Sequence, residues 1–416
     1  MSSSHINKPS PLDKTSKTEV KVPVEVLEIG MYVSNPDRPW TELPVLLQGF
    51  RISSIDDITM FQTHCSHVFI ETDDPRWLKA EEATQKTPTQ LIAGFRETRD
   101  IHEEMPRAKF TLEKTHEHIE KVLNDINNGE AFAVEESRAV VRECMTSIIS
   151  NANAMLWLTK IKNEDKYTSE HCMRVGVLSI AFGRFLGLPD QDLQLLGLAG
   201  MLHDVGKTKT PPDILNKPRK LSSDEYEIMK QHAVFGREIL GKQEGLEQLV
   251  IDTAHYHHER VDSSGYPERL DASLLHQFIR MVSIVDVYDA ITSDRCYQRG
   301  KSAFEALKII FDEADKHFDK KLVEAFIRMI GIYPPGTLVE MGNGEVGIVV
   351  SSNPDARLKP KVELVTDTNK KLRSPYVIDL SATPKDSTGT PFAIKNGLPN
   401  HTFGIDIKDY LFRPQT

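Results

Sequence analysis

The sequence predicts a mainly α protein with a small α/β domain at its N-terminal end and a β-rich C-terminal appendage. Three observations carry this prediction. Apolar residues recur at helical spacing almost without interruption from Ile101 to about Ile332. Before Asp74, short apolar runs alternate with Gly, Pro and Asp, the pattern of strands joined by turns. After Tyr333-Pro334-Pro335-Gly336, two β-type runs flank Gly342-Asn343-Gly344, which suits a tight hairpin turn.

The chain has 416 residues, 39% of them hydrophobic and 27% charged, so it has the length for two or three domains and an ordinary globular composition. Its net charge is -10 and it carries no long basic block, which argues against polynucleotide binding but leaves room for a local positive pocket and a small anion. Cys65, Cys144, Cys172 and Cys296 are scattered with no CxxC pair, which disfavours a disulfide framework or a zinc ribbon. The N-terminus lacks the apolar stretch of a signal peptide, and the run Leu195 to Leu202 is too short to span a membrane. A cytoplasmic location without membrane insertion is expected.

Taken in order, residues 1–19 are rich in Ser, Lys, Thr and Pro and are expected to form a disordered tail. The α/β domain, residues 20–100, takes strands from VPVEVL, MYVS, PVLLQGF and HVFIETD and a short helix from SIDDITMFQTHC. Its polar end, 75–100, reads as a mobile connector. Residues 101–139 read as a helical linker, 140–333 as the main helical domain and 334–416 as the β-rich extension.

Several of these helices carry a polar residue on an otherwise apolar stripe. His171 lines up with Val175, Leu178, Phe182 and Phe185. The apolar helix before HDVGK ends in His203 and Asp204 and is expected to stop at Gly206, before Lys207. Ser222 and Glu225 form a capping box for the next helix, on which His232 shares a face with Ile228, Phe235 and Ile239. His258 falls on the stripe of Val250 and Ala254 with His257 one position round, and Asp286 on the face of Ile279, Val282 and Asp289. One such histidine reads best as a satisfied core residue, and two such groups as a hydrogen-bonded pair. For the whole set, buried carboxylates demand compensation, and a divalent metal pair supplies it. Imidazole and carboxylate without thiolate suit Fe, Mn, Zn, Ni or Co and disfavour structural zinc. Two such ions about 3.5–4 Å apart can activate water and hold the attacking and leaving oxygens of a phosphoryl centre.

HDVGK at 203–207, followed by HHERVDSSGYP at 257–267, resembles the HD-GYP domain, a subgroup of the HD metal-dependent phosphohydrolases, across roughly residues 140–330. The resemblance implies an HD-type helical bundle and hydrolysis of a cyclic dinucleotide, cyclic di-GMP or 3′,3′-cyclic GMP-AMP, to a linear dinucleotide and further to mononucleotides. His171, His203, Asp204 and Asp286 match the ligands of one metal, with Asp204 bridging. His232, His257 and His258 match those of the second. Lys207 is similar to the family lysine beside the scissile phosphate, although a helix-end cation is its plainer reading. The loop Asp262, Gly265, Tyr266 and Pro267 resembles the one that meets substrate or diguanylate cyclase partners, with a purely structural turn as the competing role. The stretch IGMYVSNPDRPWTELPVLLQGFRISS is similar to an uncharacterised domain often fused ahead of such modules.

The sequence departs from the family pattern at three places. Ser263 replaces the first glycine of the loop, and Tyr167 stands where some members carry a glutamate for a third metal, so two metals are expected. Arg295-Cys296-Tyr297-Gln298 stands where the family has Arg and a second cation, so Arg295 can grip a phosphate while Gln298 only hydrogen-bonds. That change leaves the choice between the two dinucleotides open. The competing readings are a cyclic dinucleotide sensor without turnover and a nucleotidase for monomeric nucleotides; the oligomeric state is open and admits a homodimer.

Overall fold

The structure, a computed structural model, describes residues 18–29, 31–38, 50–52, 55–72, 97–161, 167–293, 300–353, 356 and 358–411. The chain divides into two compact units, Met1–Gln85 and Lys86–Thr416. In the first, strands β1 (Thr18–Pro23), β2 (Tyr32–Pro36), β3 (Phe50–Arg51) and β4 (His67–Thr72) pair antiparallel in the order β1-β4-β2-β3, beside helix α1 (Ile55–His64). Alternation along the strands turns Val33, Val68 and Ile70 inward, and Phe61 of α1 is buried with them. Most of the expected tail and most of the expected connector lie outside the described residues.

The second unit is helical up to Ile330. Helix α2 (Ile101–Asn127) begins where the Asp100 side chain accepts the His102 amide, and it packs on α3 (Val134–Leu158). Helix α3 is broken at Asn151, whose backbone is extended (φ -159°, ψ 103°). The break frees the Ser150 carbonyl, which accepts the amides of Thr98 and Arg99 at 3.0 and 3.3 Å, while Asn151 Nδ2 donates to Arg99 O at 3.0 Å. The end of the expected connector is therefore anchored to the helical body.

Helix α4 (Tyr167–Phe185) runs through the core and is buried on every side: Cys172, Val175, Val177, Ile180 and Phe182 are fully buried, and the polar Glu170, His171 and Arg174 are buried too. Around it lie α5 (Asp190–Leu202), the short α6 (Pro212–Leu215), α7 (Ser223–Lys230), α8 (His232–Leu240), α9 (Gln248–Tyr256), α10 (Gln277–Thr292), α11 (Ala303–Asp312) and α12 (Lys320–Ile330). Phe326 of α12 meets Phe182 and Tyr288 edge-on, each at 5.2 Å between ring centroids.

The C-terminal residues form a second antiparallel sheet in the order β8-β7-β6-β5-β9, from β5 (Leu338–Met341), β6 (Val346–Ser351), β7 (Lys361–Thr366), β8 (Leu372–Asp379) and β9 (Ile394–Leu398). It has its own core of Val339, Met341, Val349, Val362 and Leu364. The sheet is tied to the end of α3: Gly336 lies flat on Trp157, where a Cβ would come within 2.5 Å of the indole, and Ser352 N donates to Asn153 Oδ1 at 3.4 Å.

Two expectations need correction. The capping box of Ser222 and Glu225 is present, but the single helix expected after it is two, α7 and α8, meeting at Gln231. His232 Nδ1 donates to the Met229 carbonyl at 2.7 Å, and His232 is 1% exposed while Ile228 is 43% exposed, so the two do not share a face. Gly206 does not stop the preceding helix either. Helix α5 ends at Leu202 with His203 as its cap, and Gly206 lies inside the 3-10 turn Val205–Lys209. Its value is close approach: a Cβ there would fall 1.9 Å from His232 O and 2.5 Å from Gly236 N.

Gly206→Ala must therefore push α8 away from the turn that carries Asp204. We expect a loss of about 1–3 kcal/mol in stability, read as a fall in denaturant midpoint at unchanged slope; an unchanged midpoint would show that the two segments are free to separate.

Candidate metal centre

Asp204 follows the cap of α5 with backbone angles of φ -107° and ψ 10°, in the sparsely populated bridge region where site residues are often held. This turn brings its carboxylate under the ends of α8 and α9 and beside α4 and α10. Asp204 is completely buried. Its Oδ2 lies 3.5 Å from His171 Nε2 and 3.3 Å from His203 Nε2, while its Oδ1 lies 3.4 Å from His232 Nε2 and 3.7 Å from His257 Nε2. Asp286 Oδ1 completes the first side, 3.0 Å from His171 Nε2 and 3.8 Å from His203 Nε2. Donor atoms thus gather into two groups, His171, His203 and Asp286, and Asp204, His232, His257 and His258, each within 4.8 Å.

The imidazoles are aimed by their other nitrogens. Nδ1 of His203 donates to Gly200 O at 2.7 Å, that of His232 to Met229 O, and that of His257 to Thr253 O and Ala254 O at 3.1 Å. His171 Nδ1 donates to Asp289 Oδ2 at 2.7 Å. Because carbonyl and carboxylate oxygens only accept, each Nδ1 carries a proton, and in the neutral ring each Nε2 turns a lone pair inward. His203 Nε2 and Asp204 Oδ1 are enclosed from solvent and make no hydrogen bond of acceptable geometry among the described residues. Buried lone pairs left in that state fit a divalent cation, and nitrogen and carboxylate donors without sulfur suit Fe, Mn, Zn, Ni or Co.

The two sides differ electrostatically. Burial would raise the Asp204 and Asp286 carboxyls, but Lys207, His203 and His171 for the first, and His171 and His203 for the second, hold both well below the usual range. Burial would lower His171 and His203, yet the facing carboxylates raise both. On the other side burial prevails: it pushes His232 down to about 3 and His258 well below its ordinary value. Facing carboxylates prevail over burial at His171 and His203, and burial prevails at His232 and His258.

The centre opens into a cleft of about 1440 Å³. Lys207, His171, His232, His257, His258 and Asp286 line its floor, and the Lys207 ammonium rests on Asp204 Oδ2. Asn124 and Asn127, at the end of α2, line its wall although their segment reads as a linker. Among the described residues, nothing from the C-terminal sheet reaches the cleft.

Family models match an HD domain over residues 156–322, a domain of unknown function (DUF3391) over 19–137, and a KOW domain associated with HD domains over 338–385. A cyclic di-GMP phosphodiesterase of Pseudomonas aeruginosa is 33% identical over 86% of this chain and 88% of its own length. This chain belongs to the HD-GYP family. A 3′3′-cGAMP-specific phosphodiesterase of Vibrio cholerae is 31% identical over 53% of the chain and 48% of its own length. Among solved structures, an HDG"Y"P protein from Bdellovibrio bacteriovorus aligns with a TM-score of 0.47 at 20% identity, over 74% of this chain and 98% of that one. No helix among the described residues is long and apolar enough to cross a membrane.

In this HD-GYP chain the loop after α9 is built on Glu259. Its buried carboxylate accepts the amides of Glu268, Arg269 and Leu270 at 2.7, 2.8 and 3.1 Å, while His255 bonds Ala233 O and Glu268. Neither Glu259 nor His255, although close in the chain to His257 and His258, joins the donor groups. Gly265 is required by contact, since a Cβ would lie 2.5–2.6 Å from the backbone of His258, Glu259 and Arg260. Ser263 holds φ 59°, the left-handed region that favours the family's glycine. Asp262 Oδ1 accepts the Ser264 amide at 2.9 Å, and the Tyr266–Pro267 bond is cis. Of the loop residues expected to meet substrate, Tyr266 lines the cleft, its ring stacked on His258 at 4.6 Å; Asp262, Gly265 and Pro267 shape the turn behind it. Arg295 and Gln298 lie outside the described residues.

Sequence reasoning missed the support of His171. Asp289 Oδ1 and Oδ2 accept Arg174 Nε and Nη2 at 2.7 and 3.0 Å, and Arg174 Nη1 donates to Glu170 at 3.0 Å, all buried. The position of Asp289, one turn on from Asp286, was visible in the sequence; its partner, 118 positions away, was not. Asp289→Asn should leave the fold intact but let the His171 ring turn, and we expect metal affinity to fall about 10–100-fold, measured by competition with a chromophoric chelator. Unchanged affinity would show that His171 needs no such support.

Proposed function

We propose that the protein is a metal-dependent phosphodiesterase that opens a cyclic dinucleotide, cyclic di-GMP or 3′,3′-cyclic GMP-AMP, to the linear dinucleotide. The observation that carries this reading is the Asp204 carboxylate, with one oxygen facing each donor group at the floor of a cation-lined cleft. The relatives described above that act on cyclic dinucleotides support the substrate class.

In this reading His171, His203, Asp204 and Asp286 hold one divalent ion and Asp204, His232, His257 and His258 the other. Bound there, such a pair supplies a water nucleophile near neutral pH and neutralises charge on the phosphoryl oxygens. The protein contributes orientation: the Nδ1 bonds of His171, His203, His232 and His257 keep their Nε2 atoms on target, so little reorganisation remains for the reaction itself. Lys207, resting on Asp204 at the cleft floor, meets a phosphate oxygen once an anion enters. Tyr266 covers His258 and shields the imidazole side from bulk water. Iron and manganese suit this nitrogen and oxygen donor set best.

The test is product analysis with Mn- or Fe-loaded protein, kept anaerobic, on both cyclic dinucleotides in parallel. Linear product is expected from at least one, abolished by chelator and reduced at least about a thousandfold in Asp204→Ala. Tight binding without product in metal-loaded protein would overturn the assignment in favour of a sensor.

A further inference from the structure

The cleft contains more positive charge than its floor uses. Its outer wall is the segment from Ile214 to Tyr226, which contributes Lys217, Arg219, Lys220 and Tyr226. Lys217 is tied to Glu225 at 2.5 Å. Arg219 and Lys220 are exposed and make no carboxylate pair among the described residues. Arg260, which also lines the cleft, is likewise without a carboxylate, its guanidinium 3.4 Å from Ser264 Oγ.

Among the described residues, none of the carboxylates that line the cleft pairs with Arg219, Lys220 or Arg260. Asp286 belongs to the centre, Glu259 holds the amides of 268–270, Glu313 pairs with His317 at 3.1 Å, and Glu120 lies 3.9 Å from His116. Adjacent cations facing one concavity, on a chain of net charge -10, mark it as a local anion trap. Its volume exceeds the roughly 300–1,000 Å³ of an ordinary small-ligand site, so it has room beyond the reacting group. Tyr226 adds a ring that is 47% exposed in the same wall, with Lys230 Nζ 5.4 Å from its centroid.

A cyclic dinucleotide carries two phosphates on one ring. When one lies over the metal ligands, the other is held away from them and still needs a counter-charge. We infer that Arg219 and Lys220 bind this second, non-reacting phosphate, with Tyr226 as a stacking surface for the adjoining base. The inference rests on the phosphodiesterase reading above and adds the wall of the cleft to it. It assigns substrate selection to the 214–226 segment: a diester with a single phosphate gains nothing there, and a cyclic dinucleotide gains affinity.

The experiment compares two substrates on the same Mn-loaded protein: the preferred cyclic dinucleotide and bis(p-nitrophenyl) phosphate, which has one phosphate. In the double variant Arg219→Ala/Lys220→Ala we expect KM for the cyclic dinucleotide to rise about tenfold or more, with kcat/KM on the small diester within about twofold of wild type. The charge-keeping variant Arg219→Lys/Lys220→Arg should recover most of the loss, and the wild-type KM should rise with salt more steeply than that of the double Ala variant. An equal loss on both substrates, or an unchanged KM for the cyclic dinucleotide, overturns the subsite. Wild-type protein that cleaves the small diester but neither cyclic dinucleotide overturns the phosphodiesterase reading itself, and the subsite with it.

Discussion

A carboxylate sealed from water at the end of an apolar helix is the constraint on which the rest of this structure depends. Asp204 is fully buried, and a buried carboxylate costs several kcal/mol unless it is surrounded by positive or hydrogen-bonding partners. The helices answer by delivering imidazoles to both of its oxygens. Each of His203, His232 and His257 is locked to a carbonyl one turn back in the chain, so its direction follows from where that segment lies rather than from side-chain freedom. The close approach at Gly206 sets the spacing between the Asp204 turn and α8, and thereby the reach of His232.

The two sides of that carboxylate are not equivalent. Toward α4 and α10 it meets His171, His203 and a second acid, Asp286, and behind His171 the Asp289–Arg174–Glu170 chain extends the ion pairing deep into the core. Toward α8 and α9 it meets His232 and His257, with His258 edge-on to the first, tilted against the second and stacked under Tyr266. A half that carries a second carboxylate beside one made mainly of imidazoles offers two donor environments within a single cluster, at the base of a cleft whose outer wall is cationic.

The periphery serves this core without entering it. The break in α3 at Asn151 gathers residues 98–99 and Ser352 onto one helix end, and Trp157 carries Gly336 and the sheet beyond it. The sheet closes on its own apolar core, so its contribution to the second unit is made through α3 and not through the cleft.

What the sequence by itself determined was the helical middle, the hairpin around Gly342-Asn343-Gly344 and which histidines and acids turn inward together. Their signal is local: an imidazole or acid on an apolar stripe is visible within one helix. The sequence equally carried the HDVGK and GYP phrases, because their turns are made by residues adjacent in the chain. The tertiary structure alone decided which oxygen of Asp204 faces which histidines, that Asp289 and Arg174 stand behind His171, and that Glu259 and His255 serve the loop instead of the centre. It also decided that α2 lines the cleft and that His232 starts a new helix. Those facts depend on contacts between segments far apart in the chain, such as the 118 positions separating His171 from Asp289, and no local periodicity encodes them.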